Sequence, residues 1–141
     1  MIGLDTNILA RYYVEDETDA EAARQRDAAR DLIEGGAPLM VCKTVLLELE
    51  WVMRGYYRFP TDQISQAFRH LLSLEHVEIE DRAAVEQALD GYAAGLDFAD
   101  AFHHASYRQC ERMATFDDRR FARRAQRTGL LPAVTLCKSG D

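Results

Sequence analysis

A chain of 141 residues, 48% hydrophobic and 29% charged, has the make-up of one globular domain, residues 1–141, with its own core. A formal net charge of −7 excludes a protein that grips nucleic acid mainly through a global positive field, but not an enzyme whose acidic site is filled by divalent cations. Cys42, Cys110 and Cys137 lack C-x-x-C spacing and lie in or beside apolar runs, and neither a signal peptide nor an apolar run of membrane-spanning length is evident. Reduced core cysteines in a soluble cytoplasmic protein are therefore expected.

Ile2-Gly3-Leu4 reads as a short buried strand that stops at Asp5-Thr6-Asn7, and Ile8 to Tyr13 continues as helix. Thr18-Asp19-Ala20-Glu21 has the capping-box pattern and opens a helix through Ala23, Ala29, Leu32 and Ile33 that ends at Gly35-Gly36. Leu39 to Cys42 reads as a second buried strand, and a helix from about Thr44 to Arg54 is apolar nearly all round, hence mostly buried. Gly55 to Pro60 is a loop rich in aromatics. Thr61 is placed as the cap of a helix with the stripe Ile64, Phe68, Leu71 and Leu72.

Val77 and Ile79 alternate with Glu78 and Glu80 as a third strand, and a helix spans about Asp81 to Tyr92. After Gly95, a helix opening at Asp97 buries Phe98, Ala101, Phe102 and Ala105. Met113 to Phe116 reads as the fourth strand, Asp118 to Thr128 as a basic helix stopped by Gly129, and Ala133 to Leu136 as a fifth strand. Charge is unevenly spread, with Glu15-Asp16-Glu17 and Glu75 to Asp81 acidic and Arg119 to Arg127 basic. Strands alternating with helices predict an α/β fold, a mainly parallel sheet of four to five strands with helices on both faces.

Seven acids need weighing. Asp5 lies where a strand gives way to a helix, on the rim where open α/β sheets bind ligands, though it is equally a good N-cap. Glu48 has Thr44, Val45, Trp51 and Val52 as its helical neighbours, which predicts a carboxylate on an apolar face in need of a partner, a proton or a metal. Glu50 is explained by an i,i+4 pair with Arg54. Asp97 suits an N-cap, and Asp100 lies one turn on with His103 and His104 beyond it as solvated or supporting residues. Of Asp117 and Asp118 one caps the basic helix, and Asp117, on the side of Thr115, is the preferred functional acid.

Carboxylates gathered on one rim repel one another unless a cation is present, and all-oxygen donors suit Mg²⁺ or Mn²⁺, one or two ions. Such a site activates water for phosphoryl displacement. Arg120, Arg123, Arg124 and Arg127 fall on one helix face, opposite Phe121, Ala122 and Ala125, and are candidates for following a phosphate backbone.

Taken together, Ile2 to Asn7, Val45 to Val52, Asp97-Phe98-Ala99-Asp100-Ala101 and Thr115-Phe116-Asp117 resemble the PIN-domain ribonucleases, and among them the VapC-type toxins of toxin–antitoxin pairs. The resemblance implies a single PIN-like nuclease domain whose metal-binding acids are Asp5, Glu48, Asp100 and Asp117. It implies Asp97 as an accessory acid, with Thr6, Asn7 and Thr115 as polar residues lining the pocket. It further implies an Mg²⁺- or Mn²⁺-dependent endoribonuclease, a homodimer acting on RNA and silenced by a cognate antitoxin, for which Tyr56, Tyr57 and Phe59 offer a landing surface. The doubled Asp117-Asp118 departs from the pattern. A haloacid-dehalogenase-like phosphatase is the rival enzyme, since Asp5-Thr6-Asn7 and Asp117-Asp118 loosely resemble its motifs, but Asn7 stands where that chemistry needs an acid. A non-catalytic protein-binding module with a vestigial acidic site is the rival of another class.

Overall fold

Short apolar runs ending in polar residues become strands, and the amphipathic stretches between them become the crossovers that parallel pairing requires. In the computed structural model, which describes residues 1–16 and 18–138, five strands alternate with seven α-helices. Glu17 of the first acidic run lies outside the described residues. The chain divides into two compact units, Met1–Glu80 and Asp81–Asp141.

In the first unit, β1 (Ile2–Gly3), β2 (Leu39–Val41) and β3 (Val77–Ile79) form a parallel sheet in the order β1-β2-β3, with Ile2 opposite Leu39 and Leu39 opposite Val77. Helices α1 (Thr6–Tyr13) and α2 (Ala20–Glu34) connect the first pair of strands. The second pair is connected by α3 (Lys43–Trp51), a π-helical turn (Val52–Tyr56) and α4 (Thr61–Ser73). Leu39, Val41, Val77 and Ile79 are buried, as is the whole expected α4 stripe of Ile64, Phe68, Leu71 and Leu72. At the end of β2, the Glu80 amide donates to the Val41 carbonyl (3.0 Å) and the Glu80 carboxylate accepts from the Lys43 amide (2.8 Å). The carboxylate thereby satisfies one of the open N–H groups at the start of α3.

In the second unit, β4 (Arg112–Thr115) and β5 (Ala133–Leu136) pair in parallel across a π-helical turn (Asp118–Ala122) and α7 (Arg123–Thr128). Gly129 takes φ +69°, the left-handed conformation that closes α7 at little cost for glycine. Before this pair come α5 (Arg82–Ala93) and α6 (Phe98–Ser106). They bury Val85, Leu89 and Tyr92 from α5, and Phe98, Ala101, Phe102 and Ala105 from α6. Gly91 permits a close approach within this unit, because a Cβ there would stand 3.0 Å from Leu96 and 3.2 Å from Ala101.

The α/β class and parallel pairing are as expected, but the larger sheet among the described residues has three strands, not four or five. Other details also differ. Ile2 is 47% exposed and only Leu4 of that run is buried, because β1 contributes one short ladder at an edge of its sheet. Asp19 rather than Thr18 caps α2, and Pro60 rather than Thr61 occupies the N-cap of α4. The fourth strand ends at Thr115, leaving Phe116 exposed. None of the three cysteines is buried: Cys42 and Cys137 are intermediate and Cys110 is exposed. No helix among the described residues is long and apolar enough to cross a membrane.

Candidate active site

The first unit brings together six of the residues singled out in the sequence, four of them candidate site residues. Asp5, Thr6, Asn7 and Glu48 line one cavity of about 400 Å³, with Arg11, Trp51, Tyr56 and Tyr57 on its walls. Asp5 takes an extended backbone just beyond β1, and its Oδ1 accepts from the Thr6 amide at 2.8 Å. The capping role anticipated for it is real, and it fixes the carboxylate at the head of α1. Thr6 is buried, while Asp5 and Asn7 are exposed.

Glu48 departs from expectation. It is exposed, whereas Glu50 is buried with its side chain only 5% accessible. The buried stripe of α3 is Leu46, Leu49 and Glu50, continued by Met53. The residues around Glu48 are apolar in kind but not in burial: Trp51 is exposed, and Val45 and Val52 are half-buried. That face forms the cavity wall instead of a core contact, so α3 is less buried than its composition predicts. The expected Glu50–Arg54 pair is present, with Arg54 Nε donating to Glu50 Oε2 at 2.8 Å.

Within the second unit a different arrangement holds the remaining acids. Asp97 caps α6, its Oδ2 accepting from the Asp100 amide at 3.2 Å. Burial raises the pKa of the half-buried Asp100, the charges of Asp97 and Asp117 raise it further, and His103 opposes them. Asp117 caps the second π-helical turn by accepting from the Arg120 amide (3.0 Å), and its own amide donates to Thr115 Oγ1 (3.1 Å). Asp118 is instead tied to the Arg123 guanidinium at 2.8 Å. Of the doubled acids, Asp117 is the one whose charge contributes to the raised pKa of Asp100.

His103 is exposed, but His104 is a core residue, 1% accessible, with Nε2 2.6 Å from the Pro132 carbonyl. The arginines are exposed but not equivalent, because Arg123 pairs with Asp118 and Arg124 donates to the Gly95 carbonyl at 3.1 Å. Arg120 and Arg127 make no ion pair among the described residues.

Among the described residues no three His, Cys, Asp or Glu side chains form a group that could hold a metal ion. What fits an ion is the chemistry of the donors. The acids offer hard carboxylate oxygens without a thiolate, and Asp100 ionises less readily than usual beside Asp97 and Asp117, a penalty that a divalent cation reverses.

The sequence reading passed over Arg11 and gave Trp51 no role of its own. Arg11 stands one helical turn after Asn7, and Trp51 stands three residues after Glu48. Those spacings were the available signal.

No curated relative matches the chain. The family model for the PIN domain matches residues 2–127, a span that includes the residues on which the phosphatase resemblance rested. The chain belongs to the PIN-domain family.

Proposed function

We propose that this PIN-domain protein is a metal-dependent endoribonuclease, the toxin of a toxin–antitoxin pair, which hydrolyses RNA phosphodiester bonds. The observation that carries the reading is that Asp5, at the N-cap of α1, and Glu48, on α3, line a single cavity with Thr6 and Asn7. A hard divalent ion, Mg²⁺ or Mn²⁺, supplies a lowered water pKa and charge neutralisation at the phosphate when bound. The metal-binding acids of this reading are Asp5 and Glu48 in the first unit and Asp100 and Asp117 in the second, with Asp97 as accessory. In this reading Asp97 anchors the first turn of α6 and keeps Asp100 beside a second negative charge. Thr115 holds the backbone of Asp117 through its hydroxyl, and Thr6 and Asn7 furnish polar contacts at the head of α1. Arg120 and Arg127 are the arginines best placed to meet phosphate, since Arg123 and Arg124 are already engaged.

The toxin role, a homodimeric state, a cytoplasmic location and an antitoxin partner complete the proposal. They rest on the likeness of the four acidic segments to VapC-type toxins. Expression in a bacterium of the parent chain and of Asp5→Asn, with mapping of RNA ends, tests it. Growth arrest with new RNA ends for the parent alone is expected. No new ends from the parent, or the same ends from Asp5→Asn, would overturn it.

A further inference from the structure

The cavity of the first unit has an aromatic side that neither the acids nor the metal explain. Trp51 is 61% exposed and Tyr56 is 73% exposed, although large aromatic side chains are ordinarily among the better-buried groups. The two lie five residues apart. In a continuous α-helix that spacing would point them apart, but the helix changes to a π-helical turn at Val52, and the Tyr57 amide donates to the Val52 carbonyl at 3.1 Å. The i→i+5 geometry brings Trp51 and Tyr56 to the same cavity. A Cβ at Gly55 would stand 3.8 Å from the indole, so bare backbone flanks the ring, and Tyr57 braces Tyr56 edge-on with ring centres 4.8 Å apart.

The lining thus combines the carboxylates of Asp5 and Glu48 and the Arg11 guanidinium with flat aromatic surface. An apolar peptide filling it would cover the exposed carboxylates of Asp5 and Glu48 without offering them polar or cationic compensation. A ligand with a flat ring at one end and a polar, cation-compensated group at the other leaves nothing stranded. Unpaired nucleotides have that form, and their bases stack on aromatic side chains.

We propose that Trp51 and Tyr56 form a base-stacking subsite that holds an unpaired nucleotide of a single-stranded RNA beside Asp5 and Glu48. The inference rests on the nuclease reading for the identity of the polymer. It makes the substrate single-stranded at this position and sequence-tolerant, because every base offers a π-face. Duplex RNA, whose bases are already stacked, is excluded from the subsite.

Trp51 is the single tryptophan of the chain, so its intrinsic fluorescence reports the subsite directly. The test titrates full-length Asp100→Asn protein, chosen to suppress cleavage, in Mg²⁺ with a twelve-nucleotide single-stranded RNA, its duplex and an abasic strand of equal length. Saturable quenching by the single strand alone is expected. In the same background, Trp51→Ala should weaken single-strand binding, followed by anisotropy of a labelled strand, roughly 5- to 150-fold, while Trp51→Phe stays within about threefold. Equal quenching by the abasic strand, or unchanged affinity in Trp51→Ala, would overturn the proposal, and the latter result would leave the patch to a protein partner. The nuclease reading fails separately: if the parent cuts no RNA while the single strand still quenches Trp51, stacking stands and the nuclease does not.

Discussion

Asp5 and Glu48 stand at an open cavity walled by aromatic rings, whereas Asp97, Asp100 and Asp117 stand close enough to oppose the ionisation of Asp100. Both groups are acidic, and both use helix N-caps to fix a carboxylate, yet their surroundings differ. In residues 1–80 the carboxylates share their surroundings with flat apolar surface, which suits recognition of a molecule with two kinds of ends. In residues 81–138 one half-buried carboxylate is crowded by two others, which suits a cation. The lesson is that acidity alone does not describe such a site. What the carboxylates stand beside, flat aromatic surface in one unit and other carboxylates in the other, decides what each can take besides a cation.

The largest expected effect falls on the crowded group. Asp100→Asn should lower RNA cleavage by more than about 100-fold, beyond what the loss of a residue merely supporting a metal ligand brings. The same variant sharpens the contrast in another way. The folded protein holds the Asp100 proton more tightly than the unfolded chain does, so in the absence of metal this group loses the fold stability as pH rises between its ordinary and its raised pKa. Acidification through that window restores the stability. Metal-free Asp100→Asn should therefore melt no lower than the parent at neutral pH, by calorimetry. A clear drop in Tm with cleavage retained would mean that Asp100 serves only the helix.

A smaller effect separates two neighbours on α3. Glu50→Gln should cost about 1–3 kcal/mol in denaturant unfolding, since it weakens a charge-assisted bond to a buried carboxylate, and should leave cleavage intact. Glu48→Gln should change stability by no more than about 0.5 kcal/mol, as exposed positions do, and should lose cleavage. The reverse pattern would assign the functional role to Glu50.

That pair also marks the limit of what the residues disclosed in advance. Regular elements with a plain period were legible: the α4 stripe, the buried face of α6 and the span of β5 all stand where the spacing put them. The burial of α3 was not, because apolar residue types predict a buried face only when something packs against it. Around Glu48 the indole and its neighbours wall a cavity instead. The π-helical turns at Val52–Tyr56 and Asp118–Ala122 were invisible to a reading based on 3.6 residues per turn. Of the candidate site, the capping by Asp5 and Asp97 could be read from position, since Asp at a strand-to-helix junction or N-cap is a local signal, whereas the exposure of Glu48 could not. The aromatic wall could not, because it depends on one of those π-helical turns.

Titration calorimetry with Mn²⁺ on the parent, Asp5→Asn and Asp100→Asn, each beside an RNA cleavage assay, tests the central claim most directly. The account predicts saturable binding and cleavage for the parent, and weakened binding with loss of cleavage when either aspartate is replaced. Undiminished binding and cleavage in either variant would contradict it.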